Sequence, residues 1–322
     1  MKTRIWLQLT ITLVMTSSAW AQQLQGMAGY VFPLDPALGS ARAKAMGSAF
    51  VGMADDASAL WWNPVGLGQL AAPQLSAHYN QWLVDTSQGS LVFATPIEEG
   101  YGLGLGINYV SLGQFENRAS NGVLTGTSSA DEWDMVGGYC MELSPKLWAG
   151  LSLQGHFESL AGIGDQAYSG SLGILWAVQP EFKLGLCLNQ IGWASSGSAT
   201  SSALRLGGSE DLSLGKDNQL LLALAGELDG GSLGRLQIGA EDKLFKVISV
   251  RAGYQWMSTD MQLQWTSGLQ AGVGFTLQGV RLDCAIQPFG DLGTTNLISL
   301  TYQFDQGPKK AMDLKETKDN TL

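Results

Sequence analysis

In Tyr101-Gly102-Leu103-Gly104-Leu105-Gly106-Ile107-Asn108-Tyr109 every odd position is apolar and every even position is Gly or Asn. Strict period-two alternation puts all the apolar side chains on one face of a strand and leaves the other face small and uncharged. The pattern recurs down the chain. Leu147, Ala149, Leu151 and Leu153 alternate with Trp148, Gly150, Ser152 and Gln154. Phe182, Leu184, Leu186 and Leu188 alternate with Lys183, Gly185, Cys187 and Asn189. Ile248 to Trp256 and Val280 to Ile286 repeat it near the C-terminus. A strand of a soluble β-sandwich also alternates, but it turns its polar face to bulk water and loads it with Lys, Glu and Thr. Here the polar face is Gly, Ser, Asn and Gln, as in strands that face lipid outside and a lumen inside. The pattern predicts an all-β, antiparallel transmembrane β-barrel.

The start of the chain and the composition agree with export to a membrane. Lys2 and Arg4 precede a mostly apolar run from Ile5 to Met15, and Ala19-Trp20-Ala21 is a small-x-small cleavage site, so residues 1–21 read as a signal peptide. That run is well short of the ~20 residues a spanning helix needs, and nothing later is apolar for long enough, so any membrane crossing must use strands. Charged residues make up 14% of the chain, against about 25% in an ordinary soluble domain. A formal net charge of -10 argues against nucleic acid as a partner. Cys140, Cys187 and Cys284 are odd in number and sit inside strand-like runs, which predicts neither a disulfide framework nor a metal site.

Strands are expected at residues 74–84, 88–96, 100–112, 132–143, 146–160, 167–178 and 182–191. A second set is expected at 203–213, 218–228, 232–243, 247–257, 267–277, 279–288 and 295–304. That is about fourteen, an even number, as single-chain bacterial barrels have. Tight links such as Ser144-Pro145 and Gln278-Gly279 read as periplasmic turns, and Gly113 to Asp131 and Gly192 to Ser202 as extracellular loops. An even count places both mature termini in the periplasm. The expected domains are therefore a signal peptide (1–21), an N-terminal plug or hatch (22–73), the barrel (74–304) and a polar periplasmic tail (305–322). Fourteen strands enclose more space than their own side chains fill, so the segment before the first strand is expected inside the lumen. Within it Asp56 is placed to cap a short helix over Ala57 to Trp61, which must stop near Asn63 because Pro64 follows.

The run Ser40-Ala41-Arg42-Ala43-Lys44-Ala45-Met46-Gly47-Ser48-Ala49-Phe50-Val51, continued by Ala54-Asp55-Asp56-Ala57-Ser58-Ala59 and Asn63-Pro64-Val65-Gly66-Leu67, resembles the N-terminal block of the PorV/PorQ family, itself similar to the FadL-type outer-membrane transporters. Gln287-Pro288-Phe289-Gly290-Asp291-Leu292-Gly293-Thr294-Thr295-Asn296 through Phe304 is similar to that family's closing hairpin. The likeness runs from about Gly26 to Phe304; it departs at Val65, where FadL-type proteins usually carry Ala after Asn-Pro. It implies a fourteen-stranded barrel with an N-terminal hatch, in the outer membrane. It implies one of two roles: accessory to type IX-like protein secretion or surface attachment, with secretion components or exported proteins as partners, or a conduit for hydrophobic small molecules. The Ser/Thr/Gly-rich stretch Gly122 to Ala130 lacks the apolar insertions of a ligand-gathering platform and favours the accessory role.

No catalytic constellation emerges, and neither enzymatic activity, a cofactor nor a metal is expected. Asp55 and Asp56 are neighbours whose side chains should point apart, which suits capping and plug hydrogen bonds. His78 and His156 both fall on the lumenal phase of their strands. Gly102, Gly104 and Gly106 lack the spacing and following helix of a dinucleotide loop. The residues singled out are the plug motif (Arg42, Met46, Gly47, Asp55, Asp56, Asn63, Pro64, Gly66) and the lumenal charges Arg235, Glu241, Arg251, Arg281 and Asp283, of which Arg281 and Asp283 share a face and should pair. Phe304 is expected to close the last strand at the lipid interface, and Trp82, Trp133, Trp148, Trp176 and Trp256 to contribute to interfacial girdles.

Overall fold

The computed structural model describes residues 39–305 except 84, 198–199, 201, 216–217, 230–233 and 258–264; the signal peptide and all but the first residue of the tail lie outside the described residues. Fourteen antiparallel strands appear among them: β1 (Gln74–Gln81), β2 (Ser87–Glu98), β3 (Tyr101–Arg118), β4 (Leu124–Ser144), β5 (Leu147–Leu160), β6 (Ile163–Gln179) and β7 (Phe182–Ala194) form the first half. The second half is β8 (Ala203–Ser213), β9 (Gln219–Asp229), β10 (Gly234–Leu244), β11 (Ile248–Met257), β12 (Leu269–Leu277), β13 (Val280–Pro288) and β14 (Thr294–Gln303). Each pairs with its sequence neighbours, and β1 closes on β14 with Gln74 opposite Gln303 and Gln81 opposite Asn296, so the sheet is a closed barrel without edges. No described helix is long and apolar enough to cross a membrane.

Alternation sets the two surfaces. Leu103, Leu105, Met135, Leu151, Leu153, Val273 and Ile298 are exposed on the outside, while Asn108, Asp134, Ser152, Gln154 and Ser299 are buried inside. An outer face this apolar is a liability in water and an asset in lipid. The assigned phase holds through the middle of β7, where Leu186 is exposed, Leu184 and Leu188 are half-buried and Gly185, Cys187 and Asn189 are buried, while Phe182 at its start is buried.

One side of the barrel is taller than expected. β3, β4 and β6 run for 18, 21 and 17 residues, against the ~9–11 a tilted strand needs to cross a bilayer. The stretch expected as a loop from Gly113 to Asp131 is largely paired: Gln114 lies opposite Ser129 and Glu116 opposite Thr127, after an irregularity following Ser111. Likewise β7 continues through Gly192 to Ala194. A hairpin with water on both faces keeps its ladder hydrogen bonds while losing the alternation that reveals strands in sequence.

Before β1 lies a short inner segment: α1 (Ala41–Ala45), α2 (Ala59–Trp62) and a 3-10 turn (Pro64–Gln69). α2 begins two residues later than expected, and its N-cap is Ser58, without a side-chain cap. Asp56 instead folds back locally, its Oδ1 accepting from the Ser58 amide at 3.0 Å and hydroxyl at 2.5 Å, because its other oxygen is taken by arginines. Asn63, in extended conformation, ends α2 before Pro64 as expected. The main apolar core lies between this segment (Phe50, Leu60, Trp61, Trp62, Val65, Leu67) and the inner wall (Val92, Val136, Cys140, Leu175).

Candidate functional site

The interior has two unlike halves, both organised around the inner segment. Toward β3 to β6 much of the wall is glycine backbone, between the side chains of Val136, Cys140 and Leu175. A Cβ added at Gly102 would strike the Leu67 carbonyl, one at Gly150 the Val65 amide, and one at Gly173 the Asn63 amide oxygen. A Cβ added at Gly104 would lie 3.0 Å from Leu67 Cδ2, and one at Gly106 3.0 Å from Val136 and 3.1 Å from the Trp61 ring. The alternating glycines of the 101–109 stretch therefore have a second meaning: inward side chains are missing because the Leu67 backbone and the side chains of Leu60, Trp61 and Leu67 lie flush on the wall. Gly185 is another case, its Cβ position colliding with the Val51 carbonyl.

Toward β10 to β13 and β1 the same segment is held by charge. Arg42 on α1 is 2% exposed and donates from Nε and Nη2 to the two Glu241 oxygens at 2.9 and 3.0 Å. Its Nη1 reaches Asp55 and, at 3.3 Å, Asp56. Glu241 also accepts from Arg251, and Lys243 lies 3.3 Å from it. Arg251 continues to Asp283 at 2.7 Å; Arg281 donates to Asp283 at 2.9 Å and to Asp56 at 2.7 Å. Four cations (Arg42, Lys243, Arg251, Arg281) thus meet four carboxylates (Asp55, Asp56, Glu241, Asp283) in one balanced clamp that ties the segment to β10, β11 and β13. Burial alone would raise the Asp56 pKa, but Arg281 and Arg42 outweigh it and hold the carboxyl well below the usual carboxylate range. Burial likewise opposes the charge on Asp55, and Arg42 reverses it. Burial would lower the Arg42 pKa, yet Asp55 and Glu241 keep it above its ordinary value.

The expectation that Asp55 and Asp56 point apart is corrected here: both converge on Arg42, because the backbone between them turns within the loop that follows Ala54, itself at φ 23°. Of the other motif residues, Met46 is fully buried and Gly47 has φ 66°, and a Cβ there would meet backbone atoms of Ile238 and Tyr254. Two constraints, the left-handed backbone and contact with β10 and β11, thus require glycine at 47. Asn63 Nδ2 donates to the Val51 carbonyl at 3.0 Å, its Oδ1 accepts from Val65, and Pro64 opens the 3-10 turn. Gly66 sits against the Ala54 carbonyl, where no side chain fits. Arg235 belongs to a separate cluster, pairing with Glu227 at 2.7 Å; Glu227 also accepts from Arg205 at 2.9 Å. Arg205 lies over the Trp62 ring at 5.2 Å and anchors α2 as Arg42 anchors α1. Sequence reasoning missed Arg205, Glu227 and Lys243; the signal was their phase, but their pairing depends on register, since Glu227 faces Arg205 on one side and Arg235 on the other.

His78 accepts or donates at Nδ1 to Ser299 at 2.8 Å, and Ser299 also accepts from the Ala41 amide. His156 is buried between Asp134, 2.5 Å from Nδ1, and Ser169, 3.0 Å from Nε2. Trp133, Trp176 and Trp256 face outward, as a girdle requires. Trp148 and Trp82 do not: Trp148 is on the inward phase and packs on the main core, and Trp82 stacks edge-on with Phe289 at 5.1 Å. Phe304 lies one residue beyond β14, its amide donating to the Pro73 carbonyl at 2.9 Å and its ring packed edge-on against Tyr302 at 4.7 Å.

No family model matches the sequence, and no curated protein matches it. Solved structures do share the fold. The Ralstonia pickettii toluene transporter TbuX is 15% identical, with a TM-score of 0.59 over 82% of this chain and 97% of its own. The Pseudomonas putida toluene transporter TodX is 13% identical, with a TM-score of 0.55 over 85% and 98%. A Pseudomonas aeruginosa FadL homologue is 12% identical, with a TM-score of 0.50 over 82% and 98%.

Proposed function

We propose that this chain is an outer-membrane conduit for hydrophobic small molecules, with the inner segment as its plug and both mature termini in the periplasm. The observation that carries the reading is the apolar half of the lumen. In a water-filled pore inward positions are polar, whereas here Val92, Ala94, Val136, Cys140 and Leu175 join a row of glycines behind Leu60, Trp61 and Leu67. A shift of the segment would open a path along that wall in which an apolar solute replaces apolar side chains. The fold shared with two toluene transporters supports the same reading. The conduit performs no covalent step and uses no cofactor.

The test is uptake of radiolabelled toluene by a Gram-negative host that lacks transporters of this type, with and without the chain. Faster initial uptake of toluene, with glucose uptake unchanged, is expected. No acceleration despite heat-modifiable, folded barrel in the outer membrane would refute it.

The secretion-accessory role implied by the PorV/PorQ resemblance is the second reading. It is favoured by the tall rim of β3 to β7, where Phe115, Val123, Leu124, Ile163 and Trp193 are exposed. Capture of secretion components with the detergent-solubilised barrel would select it, and their absence alongside toluene uptake would discard it.

A further inference from the structure

We propose a divalent-cation site of the zinc class on the lumenal wall, formed by Glu132 and Asp134 of β4 and His156 of β5. Each of these residues offers a ligand atom, all within 4.8 Å of one another. Tetrahedral zinc ligands at ~2.1 Å stand about 3.4 Å apart, so side-chain rotation must draw the widest pair together by up to roughly 1.4 Å, and a water would take the fourth position. The strands fix the arrangement: Asp134 is directly opposite His156 in the ladder, and Glu132 is two residues along on the same face, opposite Glu158.

Burial points to a ligand rather than to a solvated acidic patch. Glu132 is 4% exposed and Asp134 and His156 each 5%. Oε1 of Glu132 has no hydrogen-bond partner among the described residues. A buried carboxylate oxygen without a partner is costly, and a cation answers it. The inward neighbours are Asn108 and Val110 on β3, Val136 on β4, Gln154 and Glu158 on β5 and Ser169 on β6, none of them basic. The contrast with the clamp is direct, since there every carboxylate meets an arginine.

The surrounding polar groups orient the donors. Asn108 Nδ2 donates to Asp134 Oδ2 at 2.8 Å, and Gln88 in turn donates to Asn108 at 2.8 Å. Ser169 lies 3.0 Å from His156 Nε2. With Nε2–H donated to Ser169, the Nδ1 lone pair is left for a metal beside Asp134; such outer hydrogen bonds fix the tautomer of a metal-ligating histidine. One imidazole with two carboxylates selects zinc, cobalt or nickel over calcium or magnesium, which take all-oxygen sets.

The test uses the full-length barrel in detergent, stripped with chelator and titrated with zinc chloride by calorimetry. One site per chain with micromolar or tighter affinity is expected, weakened at least tenfold by Glu132→Gln and by His156→Gln in variants that keep heat-modifiable mobility. Absence of binding below 100 micromolar, or equal affinity in both folded variants, would overturn the proposal. X-ray absorption on the zinc-loaded wild-type chain needs no variant. A nitrogen and oxygen shell with imidazole scattering supports the site, and a sulfur shell would place the metal on cysteine and overturn it.

Discussion

Arg42→Met is the sharpest perturbation of the clamp. Arg42 supplies both bonds to Glu241 and the contacts to Asp55 and Asp56, so its loss leaves Lys243, Arg251 and Arg281 facing four carboxylates. Removing one member of a buried ion pair costs about 3–5 kcal/mol, because the partner keeps its desolvation penalty. The Asp55 side chain is 32% exposed and recovers water, which sets the expected loss near the lower end, about 3 kcal/mol. At about 1.4 kcal/mol per decade this raises the population with the inner segment released by roughly a hundredfold. Hydrogen exchange of residues 41–70 reads that population, and single-channel conductance in a planar bilayer reads its consequence. Glu241→Gln in the Arg42→Met background restores balance, three cations to three carboxylates, and is expected to recover part of the loss. Wild-type exchange and conductance in Arg42→Met would refute the clamp. So would a double variant whose effect is the plain sum of the singles, since contacting residues should couple.

On β7, Leu186→Arg places a charge on the lipid face and is expected to cost about 2–4 kcal/mol in unfolding from vesicles if it lies near the midplane. Gly185→Ser, which phase alone would make harmless, should destabilise as well, because its Cβ meets the Val51 carbonyl; a neutral result would place the segment elsewhere. The folded pKa of Asp56 lies below its unfolded value of about 3.9, so its contribution is complete above that value and fades only as pH falls through the folded pKa. Conductance should therefore be constant from about pH 8 to pH 4 and rise only at stronger acidity; a rise between pH 7 and 5 would count against the ion pairs. Phe304→Asp puts a charge where a ring now packs on Tyr302, and should reduce the heat-modifiable fraction in the outer membrane; unchanged assembly would mean that the closing strand is recognised elsewhere.

Period-two alternation by itself determined the class of fold, the number of strands and which face of each points outward, because side-chain direction in a strand is set locally by the pleat. It also put Glu241, Arg251, Arg281 and Asp283 inside, and the spacing of Arg281 and Asp283 gave their pairing. What it could not give is register. Glu227 opposite both Arg205 and Arg235, and Asp134 opposite His156, exist only once the strands are paired. Nor could it show that the glycines of the 101–109 stretch are small to admit Leu67 and Trp61, or that Asp55 and Asp56 turn together onto Arg42. The height of β3 and β4 was hidden because a hairpin wetted on both faces carries no alternation. Local chemistry thus set which way strand residues point, while contacts between residues up to 258 positions apart, such as Ala41 with Ser299 and Asp56 with Arg281, were decided only by closure of the barrel around its inner segment.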